Sequence, residues 1–243
     1  MTDDGSPHTP EPSPTPVGRP PVVLIAAHEE ADRLPATLAA LREVFPGVRV
    51  VVADDGSTDA TAAVAAAHGA EVVRSERNIG KGGAATLGAQ RLLPLAQEPD
   101  PPVVLLCDGD LATSASALAQ LVETVARGDA DLAVAAFARR VGGGFGLAVG
   151  FAHWAIRRRC GLETIAPISG QRALRADLLP AVVPFAPRFG MEIGMTVDAV
   201  RAGYCVREVE LPLTHRATGK TLRGFLHRGR QLKDFVAVYL ARR

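Results

Sequence analysis

From Val22 onward, short apolar runs alternate with stretches whose apolar residues recur every three or four positions. The run Val22 to Ala27 is followed by Leu34, Leu38, Leu41 and Phe45 on helical spacing, and Val48 to Ala53 by an Ala-rich stretch that ends at Gly69. The alternation continues with a strand at Ala70 to Arg74, a helix from about Gly83 to Leu95 and a strand at Val103 to Cys107. A helix carrying Leu118, Leu121, Val122 and Val125 follows, stops at Gly128 and leads into a strand at Asp131 to Ala136. Strands separated by helices of this length predict a mostly parallel sheet with helices on both faces, a Rossmann-like α/β domain. Such sheets take ligands beyond the carboxyl ends of their strands. The second half is less regular. It predicts a Gly-rich turn at Gly142 to Gly144, helices around Leu147 to Arg159 and Glu192 to Ala202, and a strand at Cys205 to Leu211.

Residues 1–21 stand outside this pattern. Seven prolines with polar residues between them cannot bury enough apolar surface to offset chain entropy, so a disordered tail is expected there and one domain over 22–243. With 243 residues, 47% hydrophobic and 22% charged, the chain suffices for one full α/β core. A net charge of +1 removes the case for a nucleic-acid partner. Cys107, Cys160 and Cys205 form no closely spaced pair, which suggests neither a disulfide framework nor a structural zinc site and fits a reducing compartment. No apolar run approaches the ~18 residues of a membrane-spanning helix, and the N-terminus lacks the shape of a signal peptide. The expected location is therefore the cytoplasm.

The strand Val103 to Cys107 leads directly into Asp108-Gly109-Asp110. On an extended segment, side chains two apart face the same way, so both carboxylates are expected to project together, with Gly109 leaving room behind them. Such a pair suits Mg²⁺ or Mn²⁺, which takes one or two carboxylates and completes its shell with water and substrate phosphates. A solvated turn capping the next helix would look the same. Asp54-Asp55-Gly56-Ser57-Thr58-Asp59 follows the second strand, where Ser57 or Thr58 is expected to cap a helix, although a cap needs no three acids. Asn78-Ile79-Gly80-Lys81-Gly82-Gly83 places amides and an ammonium at a helix start, where phosphate oxygens are favoured. Glu29 and Glu30 end the first strand.

Taken in order, Glu29-Glu30, Asp54-Asp55-Gly56-Ser57, Gly80-Lys81-Gly82 and Asp108-Gly109-Asp110 resemble glycosyltransferase family 2, which implies the GT-A fold. The resemblance covers about 22–130 and makes this the nucleotide-sugar-binding half, leaving 131–243 for the acceptor. It implies a nucleotide-diphosphate sugar held by Ala27, Glu30, Asp55, Gly80, Lys81, Asp108 and Gly109, with Glu30 and Asp55 at ribose and base and Lys81 near base or diphosphate. Asp110 would be both catalytic and a metal ligand. Ala26-Ala27-His28-Glu29-Glu30 replaces the family's Pro-x-Tyr-Asn-Glu, so His28 stands where a base-stacking Tyr is usual.

Pro167-Ile168-Ser169-Gly170-Gln171, the stretch Pro184 to Gly194 and His215-Arg216 are similar to segments of glucosyl-3-phosphoglycerate synthases and, less closely, of polyprenyl-phosphate sugar transferases. The likeness implies that His215 joins Asp110 at the metal and that Ser169, Gly170 and Arg216 face the acceptor, a phosphate-bearing small molecule or lipid. Glu192 sits in an apolar helix start, where burial without a partner would be costly. Either it positions donor or acceptor, or no base is needed because the acceptor is already an anion. Residues 216–243 hold eight basic residues against Asp234, a local charge of +7, interspersed with Phe225, Leu226, Leu232, Phe235, Val236, Tyr239 and Leu240. This suits an amphipathic helix, packed on the sheet or lying on the membrane's inner face. A homodimer is also open. Two other classes compete: a nucleotidyltransferase, for which the first strand lacks a Gly-rich triphosphate loop, and a catalytically idle scaffold.

Overall fold

The computed structural model describes residues 19–137, 146–211 and 233–242. A seven-stranded sheet runs through it in the order β3-β2-β1-β4-β6-β5-β7. The strands are β1 (Val22–Ala27), β2 (Arg49–Asp54), β3 (Glu71–Arg74), β4 (Val103–Asp108), β5 (Leu132–Phe137), β6 (Arg172–Arg175) and β7 (Val206–Leu211). All pairings are parallel except those of β6, which runs against both β4 and β5. The described residues form one α/β domain with a mostly parallel sheet and helices on both faces.

Because side chains alternate along a strand, each central strand feeds two cores. Val22, Leu24, Val51, Val104 and Leu106 point to one face, packed under α3 (Lys81–Gln90), α6 (Leu179–Val182) and α7 (Met191–Arg201). Val23, Ile25, Val50, Val52 and Leu105 point to the other, under α1 (Leu34–Val44), α2 (Thr61–Ala67) and α4 (Ala119–Ala126). A third cluster joins α5 (Gly146–Cys160), α7 and α8 (233–241) through Ala152, Ile156, Ile193, Val197, Phe235 and Val238.

Several expectations change. The helix expected from Gly83 to Leu95 begins at Lys81 and ends at Gln90, and a 3₁₀ turn at Leu93–Gln97 follows with Pro94 in its first turn. Proline cannot donate the amide a continuing α-helix needs. Strand β6 was not foreseen: four residues, two of them arginine, give no alternation long enough to register. The tail before residue 19, the turn at Gly142 to Gly144 and the segment holding His215 and Arg216 lie outside the described residues.

Candidate active site

Chain direction changes between β1 and β4. From β1 the chain steps outward to β2 and β3, then returns to the other side of β1 for β4. The register pairs Ala26 with Asp108, so the loops leaving both strands open side by side at this switch point. One supplies His28, Glu29 and Glu30, and the other Gly109 and Asp110. The antiparallel course of β6 brings its amino end to the same edge, which is how Ser169, Gly170 and Gln171 arrive.

Lys81 is the centre of charge. Its Nζ lies 2.7 Å from Asp108 Oδ1 and 3.0 Å from Glu192 Oε1. Burial works against the Lys81 ammonium, but the charges and hydrogen bonds of Asp108 and Glu192 outweigh it and hold the pKa above that of an ordinary lysine. The buried Glu192 on the first turn of α7 thereby has a partner. Gln171 holds Asp108 from the other side: its Nε2 donates to Asp108 Oδ2 at 2.8 Å, and its Oε1 accepts from the Asp108 amide at 3.2 Å. Gly170 lets Lys81 approach, since a Cβ there would lie 2.4 Å from Lys81 Nζ and 3.1 Å from Asp108 Oδ2 and would displace the ammonium.

The two carboxylates of the Asp-Gly-Asp motif do not follow the simple alternation. Strand β4 ends at Asp108, and Gly109 and Asp110 turn away, so the period of two stops there. Asp110 is exposed and faces Arg33 Nη1 at 3.8 Å, while Arg33 Nε also holds Glu30 Oε2 at 2.8 Å. Burial raises the pKa of Glu30; Arg33 opposes this, and Asp110, Asp108 and Asp59 add to it. A Cβ at Gly109 would make only ordinary contacts, at 3.6 Å from Glu30 Cγ and Leu34 Cδ1.

Asp55 is anchored from both sides. Its amide donates to the Ala27 carbonyl at 2.9 Å, and its carboxylate accepts from the amides of Ile79 at 2.6 Å and Gly80 at 2.9 Å. Two amides of the Gly-rich loop, expected to be available to phosphate, thus serve Asp55. Nor do Ser57 and Thr58 cap α2: Asp59 Oδ1 accepts the amide of its first residue, Thr61, at 2.9 Å. Ser57 Oγ accepts from the Glu29 amide at 3.0 Å, and the Thr58 amide donates to Glu29 Oε1 at 2.7 Å. These bonds support Glu29 at φ 57°, a costly left-handed conformation for a non-glycine residue. Ala112 and Arg188 share that conformation, just after Asp110 and just before α7.

One feature went unnoticed in sequence. Arg172, 1% exposed, donates from Nε to the Ser169 carbonyl at 2.8 Å, from Nη1 to Thr196 Oγ1 at 2.9 Å and from Nη2 to the Pro167 carbonyl at 3.4 Å. Burial pushes its guanidinium down to about 10, partly offset by the charges of Glu192 and Glu208. It ties the loop before β6 to α7. Ser169 Oγ is buried and has no hydrogen-bond partner among the described residues. The only signal for Arg172 was a cation next to the quoted Ser169-Gly170-Gln171.

This edge, lined by acids, one half-buried ammonium and a glycine kept bare for close approach, is that of a nucleotide-sugar enzyme on a GT-A sheet. The chain belongs to glycosyltransferase family 2: residues 22–176 match the family described as Glycosyl transferase family 2. An uncharacterized glycosyltransferase of Mycobacterium tuberculosis is 34% identical over 207 residues, 82% of this chain and 87% of that protein. The undecaprenyl-phosphate mannosyltransferase of Micrococcus luteus is 30% identical over 221 residues, 82% of this chain and 86% of that one. Among solved structures, glucosyl-3-phosphoglycerate synthase from Mycobacterium tuberculosis in complex with Mn²⁺, UDP and glucosyl-3-phosphoglycerate matches with a TM-score of 0.72 and 28% identity, over 93% of this chain and 80% of that chain.

Proposed function

We propose that this glycosyltransferase moves a hexosyl group from a nucleotide-diphosphate sugar to a phosphate-bearing acceptor, with a divalent cation. The observation that carries the reading is the meeting of Asp55, Lys81, Asp108, Asp110 and Glu192 at the β1/β4 switch point. Asp55 and Glu30 would take base and ribose, and Lys81 the diphosphate. Asp108, fixed by Gln171, would accept from the ribose or sugar.

Among the described residues no group of three or more His, Cys, Asp or Glu could hold a metal alone. That fits a cation such as Mn²⁺ or Mg²⁺ that takes Asp110, and His215 from beyond the described residues, and fills its shell with diphosphate oxygens. When bound, it supplies positive charge that stabilises the leaving diphosphate. The bond from the anomeric carbon to the diphosphate oxygen breaks and one to an acceptor oxygen forms, releasing a nucleoside diphosphate. Where the attacking atom is a phosphate oxygen, as in polyprenyl phosphate, it is already anionic at neutral pH and needs no base. Glu192 then serves to position, its charge balanced by Lys81. The buried Ser169 hydroxyl, Gly170 and Arg216 would face the acceptor.

The test is a panel of nucleotide sugars with Mn²⁺ or Mg²⁺ against 3-phosphoglycerate and polyprenyl phosphate, the product's anomeric carbon being identified by NMR. Acceptor-dependent release of nucleoside diphosphate is expected. Pyrophosphate release from a nucleoside triphosphate and a sugar phosphate would instead mark a nucleotidyltransferase. Nitrogen ligation favours Mn²⁺ over Mg²⁺, so His215→Ala should lower metal affinity and weaken a Mn²⁺ preference. Unchanged metal curves would remove it as a ligand.

A further inference from the structure

Four large hydrophobic residues are exposed among the described residues, and three of them, Trp154, Val236 and Leu240, lie on the paired helices α5 and α8. On α8 the positions 233, 236, 237, 240 and 241 repeat at three and four, and all five are exposed. This face therefore reads Lys233, Val236, Ala237, Leu240, Ala241: one charge followed by an unbroken apolar stripe. The opposite face is fully used. Phe235 and Val238 are buried, and Arg242 just beyond the helix grips Asp198 of α7 through Nε at 2.7 Å and Nη2 at 2.5 Å. Gly190 allows the close approach, since a Cβ there would lie 2.1 Å from Val238 Cγ2. The outer stripe is thus held rigidly outward, and no described residue covers it.

Aromatic rings continue the stripe onto α5. The Trp154 and Tyr239 ring centroids are 4.8 Å apart, Phe151 lies 5.5 Å from Trp154, and the Arg159 guanidinium stacks 3.6 Å over Tyr239. Arg158, one helical turn beyond Trp154, lies on the same side of α5 and is exposed, as is Arg157. Helices α5 and α8 together carry Arg157, Arg158, Arg159 and Lys233 against the single acid Asp234, and Glu163 just beyond α5 offsets Arg157 at 3.5 Å. Apolar side chains, a Trp and a Tyr with polar edges, and a basic border are the features of a surface that lies in a lipid headgroup region. A second copy suits it less, because face-to-face pairing would set this basic border against itself.

We propose that the Trp154, Val236, Tyr239 and Leu240 face is a membrane-docking surface that takes an anionic lipid bilayer. It inserts shallowly while Arg158 and Lys233 meet anionic headgroups. Helix α7, which carries Glu192 into the active site, is also the helix on which α8 is seated, so docking would orient the site relative to the bilayer. This deepens the reading of a lipid acceptor without requiring it, and either can fail while the other stands.

Trp154 is the only tryptophan in the chain and serves as the probe. The full-length protein is titrated with vesicles of phosphatidylcholine alone or with phosphatidylglycerol, following Trp154 emission and co-sedimentation. A blue shift and binding about 10–100-fold stronger to the anionic vesicles are expected, with most of the binding lost in high salt. Leu240→Glu and, separately, Arg158→Glu should each weaken binding about ten-fold or more while circular dichroism and transfer to a water-soluble acceptor stay unchanged. Absence of a Trp154 shift with anionic vesicles would overturn the proposal. So would a lipid-free, concentration-dependent shift with a doubled mass that Leu240→Glu abolishes, which would assign the face to a second copy.

Discussion

In β1 to β4 every site residue leaves a parallel strand at its carboxyl end, whereas β6 reaches the same edge with its amino end. Ala27, Glu30, Asp55, Asp108 and Asp110 each follow directly from an apolar strand, so local register alone delivers them. Ser169, Gly170 and Gln171 are delivered only because β6 is inserted backwards between β4 and β5, and because Arg172 holds the preceding loop by its carbonyls. The β1 to β4 side is positioned by secondary structure. The β6 side is positioned by one buried cation.

The contrast predicts different failures. Asp110→Ala should lower the rate at least about 10²–10³-fold, the scale of a lost transition-state stabiliser, with the melting temperature unchanged because the side chain is exposed. Near-normal turnover would undo the assignment of the donor half. Arg172→Met should instead act on stability first, by about 2–4 kcal/mol in denaturant melts, since it strands the buried carbonyls of Ser169 and Pro167. Arg172→Lys should recover part of both stability and rate. If Arg172→Met melts like the wild type, the loop before β6 is held by something else.

Glu30 offers a finer test. Its folded pKa is raised, so its ionisation opposes folding: the stability it permits is full below the ordinary carboxylate value and is lost as pH rises through the folded one. Glu30→Gln should therefore raise the melting temperature at pH 7 by about 1–2 °C and weaken nucleotide binding, and the thermal gain should vanish near pH 3. A gain that persists in acid would trace the effect to packing. The smallest effect is expected from deleting residues 1–20, which should change neither melting nor rate; a drop of several degrees would show that the tail packs on the domain.

Much of this was legible in sequence wherever a contact is local. β1 was delimited correctly from its apolar run and β4 to within one residue, and the acids at their ends were identified with them. What stayed hidden depends on pairings across long separations. Nothing near Glu192 announces that its partner is Lys81, and nothing in Arg172 reveals a strand. Asp108 and Asp110 look equivalent in a line of text, yet a turn beginning at Gly109 sends one to Lys81 and Gln171 and the other to Arg33. Ser57 and Thr58 look like helix caps, but serve the strained backbone at Glu29.

The backward insertion of β6 also bears on how the chain is made. When Asp108 leaves the ribosome, β1 is already available to pair with one edge of β4, while the partner of its other edge, residues 172–175, comes more than sixty positions later. At roughly 5–20 residues per second, that gap lasts several seconds. Throughout it the edge of Val103-Val104-Leu105-Leu106-Cys107 is a bare apolar template for any neighbouring nascent strand. Slow synthesis between 109 and 171 should therefore cost soluble yield more than an equal pause after β6, which makes codon choice across that interval a practical control on recovery of the active enzyme.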